Sequence, residues 1–217
     1  VALGYAIGTP DNVYDPVSVA AVKSFQESRG LYPDGKVTSI AARQLGLRGA
    51  PTPQGAAKIS IIGDSTSAAM RWYDEANNST AIYDIMGNTY DLQWSLESCR
   101  RLTTPSCIGR LDPGQGIRWK PVSVLPLMQT TLKGRLGDAL VIMAGYDDMP
   151  RLNDDIDGIA NEAERQGVTR VFWLTYRTTG FYKFGGYYLS HNTDVQNART
   201  PELAMSLRKV ASGQGLQ

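Results

Sequence analysis

Four short apolar runs, separated by stretches of helical periodicity, constrain this chain more than any other feature. They lie at Lys58–Ile62, Tyr90–Trp94, Asp138–Ala144 and Arg170–Tyr176. Each is too short for a buried helix and is bounded by polar or turn-forming residues, which predicts strands. The clearest amphipathic stretch between them carries Ile156, Ile159, Ala160 and Ala163 on one face and stops at Gly167. Strand, helix and strand in repetition predict a parallel sheet with helices on both faces, because parallel neighbours need a long crossover. The expected fold class is therefore α/β, a three-layer parallel-sheet domain. A last helix is predicted from Pro201, with Leu203, Leu207 and Val210 on one face. A helix in that position ordinarily leads into a further strand, so a fifth strand is expected beyond Gln217.

A different kind of segment precedes the sheet. Gly49-Ala50-Pro51-Thr52-Pro53-Gln54-Gly55-Ala56-Ala57 is small, rich in proline and glycine, and has no apolar face. It reads as a linker over residues 49–57, dividing residues 1–48 from residues 58–217. Before it, Pro16 opens a helix with Val19, Val22 and Phe25 at helical spacing, ended by Gly30. Pro33-Asp34-Gly35 predicts a turn, and Thr38 an N-cap for a second short helix carrying Ile40, Ala41 and Leu45. The first segment is thus expected to be a small all-helical domain. Its opening, Val1-Ala2-Leu3-Gly4-Tyr5, reads as the tail of a helix whose beginning lies upstream.

Composition removes several classes of function. A formal net charge of +1 without a basic stripe gives no electrostatic case for nucleic acid. No apolar run approaches the roughly 18–20 residues that span a bilayer. Arg100-Arg101 is the densest basic spot and is expected to be solvated surface. Asp147, Asp148, Asp154, Asp155 and Asp157 form an acidic group, expected to be an exposed helix start favoured by the helix dipole rather than a cation site. One histidine and two cysteines leave no metal constellation, and no cofactor is expected. Cys99 and Cys107 are either a disulfide closing a small loop or two separate thiols; the turn residues between them favour the loop, and with it an oxidising compartment.

The chemistry concentrates at Ile61-Ile62-Gly63-Asp64-Ser65. An apolar run that breaks at Gly-Asp-Ser before a helix-like stretch, Thr66 to Ala76, puts a hydroxyl at the carboxyl end of a buried strand. Open α/β sheets place their sites there. Such a serine can act as a nucleophile if a base accepts its proton and donors receive the oxyanion. Phosphate-binding glycine loops and the Gly-x-Ser-x-Gly elbow are absent. An aromatic group, Phe181-Tyr182-Lys183-Phe184 with Tyr187-Tyr188, either lines a sugar or acyl pocket or packs its own loop.

Two resemblances follow from these residues. Leu3-Gly4-Tyr5, Asp11-Asn12-Val13-Tyr14-Asp15, Ala21-Val22-Lys23-Ser24-Phe25-Gln26, Gly30-Leu31, Asp34-Gly35-Lys36-Val37-Thr38 and Leu45-Gly46-Leu47 resemble the peptidoglycan-binding domain family of bacterial cell-wall enzymes. That resemblance implies peptidoglycan, or an attached envelope glycan or lipid, as partner. It implies an extracellular or envelope-associated location. Gly63-Asp64-Ser65, Cys99-Arg100-Arg101-Leu102 with Ser106-Cys107, and Gly145-Tyr146-Asp147-Asp148 resemble the SGNH (GDSL-type) hydrolases, in an actinobacterial-like branch. It implies Ser65 as nucleophile and the backbone N–H groups of Ser65 and Ser98 as oxyanion donors. Asp147 falls at the third-block position, with Asp64, Tyr146 and Asp148 against the substrate.

The second resemblance is incomplete in ways that bear on chemistry. Ser98 stands where the family has a glycine, although its N–H can donate equally well. Asp147 stands where an asparagine amide ordinarily donates to the oxyanion; a carboxylate only accepts and repels the developing charge. The Asp-x-x-His motif that supplies the family's base does not occur. His191 follows Tyr187-Tyr188-Leu189-Ser190, with Tyr188 where the aspartate belongs, and is expected to be a loop histidine. The motif is expected beyond Gln217 if the chain is a serine esterase. The competing expectation is a non-catalytic wall-binding or assembly protein on the same scaffold.

Overall fold

A computed structural model describes residues 4, 13–29, 33–37, 39–47, 54–76, 81–110, 118–145, 151–174, 183–184 and 187–188. The first segment holds α1 (Pro16–Ser28) and α2 (Ser39–Gln44). Asp15 caps α1 by accepting the Ser18 N–H at 2.8 Å, and Pro16 takes the first turn, where its missing N–H costs nothing. Ala21, Phe25 and Gln26 are its buried residues. Gln26 holds the predicted turn: its amide nitrogen reaches Asp34 Oδ1 at 2.9 Å, and its Oε1 accepts the Gly35 N–H at 2.8 Å.

The second segment is α/β. Its strands are β1 (Lys58–Gly63), β2 (Asp91–Leu96), β5 (Ala139–Met143) and β6 (Arg170–Trp173), joined in the order β2-β1-β5-β6 with every pairing parallel. The crossovers contain α3 (Ser65–Ala76) with α4 (Ala81–Gly87), α5 (Val124–Gln129), and α6 (Leu152–Arg165). Two antiparallel two-residue ladders are additional: β3 (Gly109–Arg110) with β4 (Arg118–Trp119), and β7 (Lys183–Phe184) with β8 (Tyr187–Tyr188).

Alternation along β1 sorts the core onto two faces. Ile61 packs in a cluster with Ala68 of α3, Tyr83 of α4, and Leu92, Trp94 and Leu96 of β2. Ile62 faces the other way, into Val124, Leu127 and Met128 of α5 and Ile156, Ile159 and Ala163 of α6. The sheet therefore carries helices on both faces. Gln166 ties the end of α6 to the turn after α5. It donates to the Met128 carbonyl and accepts from the Gly134 N–H, both at 2.8 Å.

Several sequence-based expectations need correction. The second strand runs from Asp91 to Leu96, not Tyr90 to Trp94. Ser95 interrupts the apolar run yet pairs opposite Ile62. Asp155 is 2% exposed and accepts from the Thr103 hydroxyl at 2.6 Å, so the acidic helix start is not wholly solvated. Arg100 is not surface at all, being 3% exposed. The helix expected from Pro201 and His191 lie outside the described residues.

Candidate functional site

The register of the sheet defines the site. Gly63 of β1 stands opposite Leu96 of β2 on one side and Met143 of β5 on the other. Ser65, Ser98 and Gly145 each lie two residues beyond that row, so three loops leave the carboxyl end of the sheet side by side. Two of them continue the ladder, with Asp64 N–H donating to the Met143 carbonyl at 3.1 Å and Glu97 N–H to the Gly63 carbonyl at 3.0 Å.

Ser65 is the first residue of α3 and is half-buried. Asp64 caps the helix: its Oδ1 accepts both the Thr66 N–H at 2.9 Å and the Thr66 hydroxyl at 2.7 Å, and its carbonyl accepts from Ala68 at 2.8 Å. At 2% exposure this carboxylate fixes where the helix starts, and hence where Ser65 sits. Gly63 makes the turn possible by close approach. A Cβ there would lie 2.0 Å from Ser67 Oγ and 3.1 Å from Leu96 Cδ2.

The Ser98 turn is held from three directions. Cys99 has φ +72°, a left-handed conformation that costs a non-glycine residue about 1 kcal/mol. A Cys99–Cys107 disulfide with Cα atoms 5.3 Å apart closes the loop, as the turn residues between the pair favoured. Gly109 packs on the turn so closely that a Cβ would lie 2.1 Å from the Ser98 carbonyl oxygen.

Beneath both turns lies a buried ionic cluster that sequence reasoning missed. Arg71 of α3, Glu97 and Arg100 are 4%, 1% and 3% exposed. Arg100 donates to the carbonyls of Ser95 at 2.5 Å, Val122 at 2.9 Å and Gly63 at 3.3 Å, joining the ends of β1 and β2 to the loop before α5. Arg71 donates to the Leu96 carbonyl at 3.0 Å, and its Nη2 lies 3.4 Å from Glu97 Oε2, while Glu97 Oε1 has no hydrogen-bond partner. Burial raises the Glu97 pKa against the pull of both arginines, and burial lowers that of Arg100 to about 10. One signal was available in the sequence: Arg71 sits on the same helical face as Ser67 and Ala68, where an apolar residue is expected.

Other expected site residues divide cleanly. Ser65, Ser98, Asp64, Cys99 and Cys107 are described and gathered at one end of the sheet. Tyr146, Asp147 and Asp148 follow directly on Gly145 but lie outside the described residues. Among the described residues no three His, Cys, Asp or Glu side chains gather as a metal site. No described helix is long and apolar enough to cross a membrane. A cleft lined by Arg29, Gln44, Tyr83, Tyr90 and Asp91 lies at the opposite, amino end of β2, away from Ser65.

The fold is that of a parallel α/β protein with a serine-bearing turn at the carboxyl end of its sheet. Residues 1–45 match a family model described as a putative peptidoglycan binding domain, so the chain carries a peptidoglycan-binding domain at its N-terminus. No curated protein and no solved structure matches the chain.

Proposed function

We propose that this chain is a cell-envelope serine ester hydrolase of the SGNH type, with residues 1–48 as its wall-binding domain and residues 58–217 as its hydrolase domain. The observation that carries the reading is the placement of Ser65 at the start of α3, with the Ser98 turn leaving the neighbouring strand two residues past the same register row. In this reading Ser65 Oγ attacks the carbonyl carbon of an acyl ester on a wall glycan or lipid. Its proton passes to a histidine base of the kind an Asp-x-x-His motif supplies, a motif that residues 1–217 do not contain, and the N–H groups of Ser65 and Ser98 take the charge of the tetrahedral oxyanion. Collapse expels the alcohol, which recovers the proton, and water then releases the acid from the acyl-serine. Asp64 positions the serine, and Tyr146, Asp147 and Asp148 border the substrate.

A second reading is favoured by Asp147 and by the absence of an Asp-x-x-His motif from residues 1–217. Asp147 replaces an amide donor with a carboxylate, and loss of one such donor typically costs ~10²–10³ in rate. A non-catalytic wall-binding protein on the same scaffold would tolerate that change. Labelling with a fluorophosphonate, followed by peptide mapping, separates the two. The esterase reading expects label on Ser65, abolished in Ser65→Ala. Label absent from Ser65 at any time supports the second reading.

A further inference from the structure

Arg100 belongs to the Ser98 turn and bonds to the strand that leads into Ser65. Its Nη1 donates to the carbonyl of Gly63, two residues before Ser65, at 3.3 Å, and to that of Ser95 at 2.5 Å. Its Nε donates to the Val122 carbonyl at 2.9 Å. The three acceptors belong to β1, to β2 and to the loop before α5. An arginine suits this task because its donors leave a rigid planar fork in several directions, whereas a lysine ammonium is a single point. Burial lowers the Arg100 pKa only to about 10, so the fork stays charged at neutral pH.

Little slack separates this fork from the Ser98 N–H. The Arg100 N–H donates to the Glu97 carbonyl at 3.4 Å, which folds residues 97–100 into a turn with Ser98 and Cys99 at its corners. The Gly63 carbonyl accepts twice, from the Glu97 N–H at 3.0 Å and from the Arg100 side chain. One carbonyl at the end of β1 therefore holds the Ser98 turn by its first and its last residue. Asp64 and Ser65 follow directly on that carbonyl, so a shift of it carries the serine and its N–H along.

We propose that Arg100 is a positioning residue: by clasping the Gly63 carbonyl it fixes the Ser98 turn against the Ser65 turn and sets the spacing of the two N–H groups that receive the oxyanion. The part concerning the oxyanion rests on the esterase reading, whereas the tie between the turns stands apart from it.

Amide exchange in the full chain tests the tie. The native Glu97 amide is expected to be at least as protected as that of Asp64, because the clasp makes the two strand ends one opening unit. Arg100→Lys should speed exchange at both by about tenfold relative to Leu140 and Ile142 of β5, as loss of one charge-assisted bond predicts. A native Glu97 amide that exchanges more readily than Asp64 overturns the proposal, as does an unchanged ratio in the variant. Kinetics test the consequence in a form of the protein that contains an Asp-x-x-His motif. There Arg100→Lys should lower kcat for p-nitrophenyl acetate by ~10–10²-fold with KM held within about twofold, since a displaced donor is missed only in the transition state. Ile159→Val, which loosens the core under α6, should keep its kcat. An unchanged kcat in Arg100→Lys, a loss carried by KM, or an equal loss in Ile159→Val overturns the proposal. Turnover at the buffer rate before any substitution refutes the esterase reading instead, and exchange then decides the tie.

Discussion

Arg100 shows how a residue can be plain in the sequence and misread there. Beside Arg101 it resembles a solvated pair, yet it is buried and donates to three backbone carbonyls that lie far apart along the chain. Local pattern does not contain that information, since the acceptors are Gly63, Ser95 and Val122. Arg100→Met is expected to destabilise the fold by about 3–5 kcal/mol, measured by denaturant unfolding, because it leaves carbonyls and Glu97 without their cation. Glu97 runs the other way. Its raised pKa means the folded chain holds this proton to a higher pH than the unfolded chain does. The stability it contributes is fullest below the unfolded carboxylate value and falls as pH rises through the folded one. Glu97→Gln should therefore melt no lower than the native protein at pH 7, with the native protein catching up on acidification. A lower melting point at pH 7 would show that pairing with Arg71 outweighs burial. On the esterase reading, Asp147→Asn supplies the amide donor that the resemblance calls for and is expected to raise ester turnover by up to ~10²-fold. An unchanged rate removes Asp147 from the oxyanion site.

Elements with strong periodicity were legible, as was the short α2, whereas α4 and α5 were not. β1 and α6 appear where the sequence puts them because their apolar residues repeat at the spacing of the element. α4 and α5 span seven and six residues, too few to establish a period, and α5 contains Pro126. β2 starts one residue later and ends two residues later than expected, because Ser95 looks like a strand's end. Ser95 is buried by neighbours that the sequence does not reveal. At the site, the Gly-Asp-Ser turn and the Cys99–Cys107 loop were readable because each depends on contiguous residues. The ionic cluster beneath them was not, since it joins a helix to two loops. Loop closure makes the cysteine pair a quantitative test. With a sequence separation of 8, opening the bridge should cost about 2.5 kcal/mol on the chain-entropy account. Cys99→Ala with Cys107→Ala should show that loss in denaturant unfolding, and a change under about 1 kcal/mol would mean Gly109 and Arg100 hold the turn alone.

Across the whole molecule, the N-terminal segment and the serine-bearing turn lie towards opposite ends of the sheet. Arg135 joins the α1 end to the turn before β5, and Gln44 lines a cleft together with Tyr83 and Gly87 of α4 at the amino end of β2, so the N-terminal segment sits towards the amino ends of the strands. Ser65 and Ser98 sit at the carboxyl ends. An anchor on one side and a reactive hydroxyl on the other would present the serine outward from the surface that holds the protein. The full chain is accordingly expected to sediment with purified peptidoglycan sacculi, and Ser65→Ala to sediment equally well. Recovery in the supernatant alone would remove the wall-binding role. The role of Ser65 as nucleophile is tested most directly by hydrolysis of p-nitrophenyl acetate in a form of the protein that contains an Asp-x-x-His motif, beside Ser65→Ala in the same form. The account predicts turnover that falls to the buffer rate in the variant while its melting temperature stays unchanged. Turnover of that form at the buffer rate, or turnover that Ser65→Ala fully retains, would contradict it.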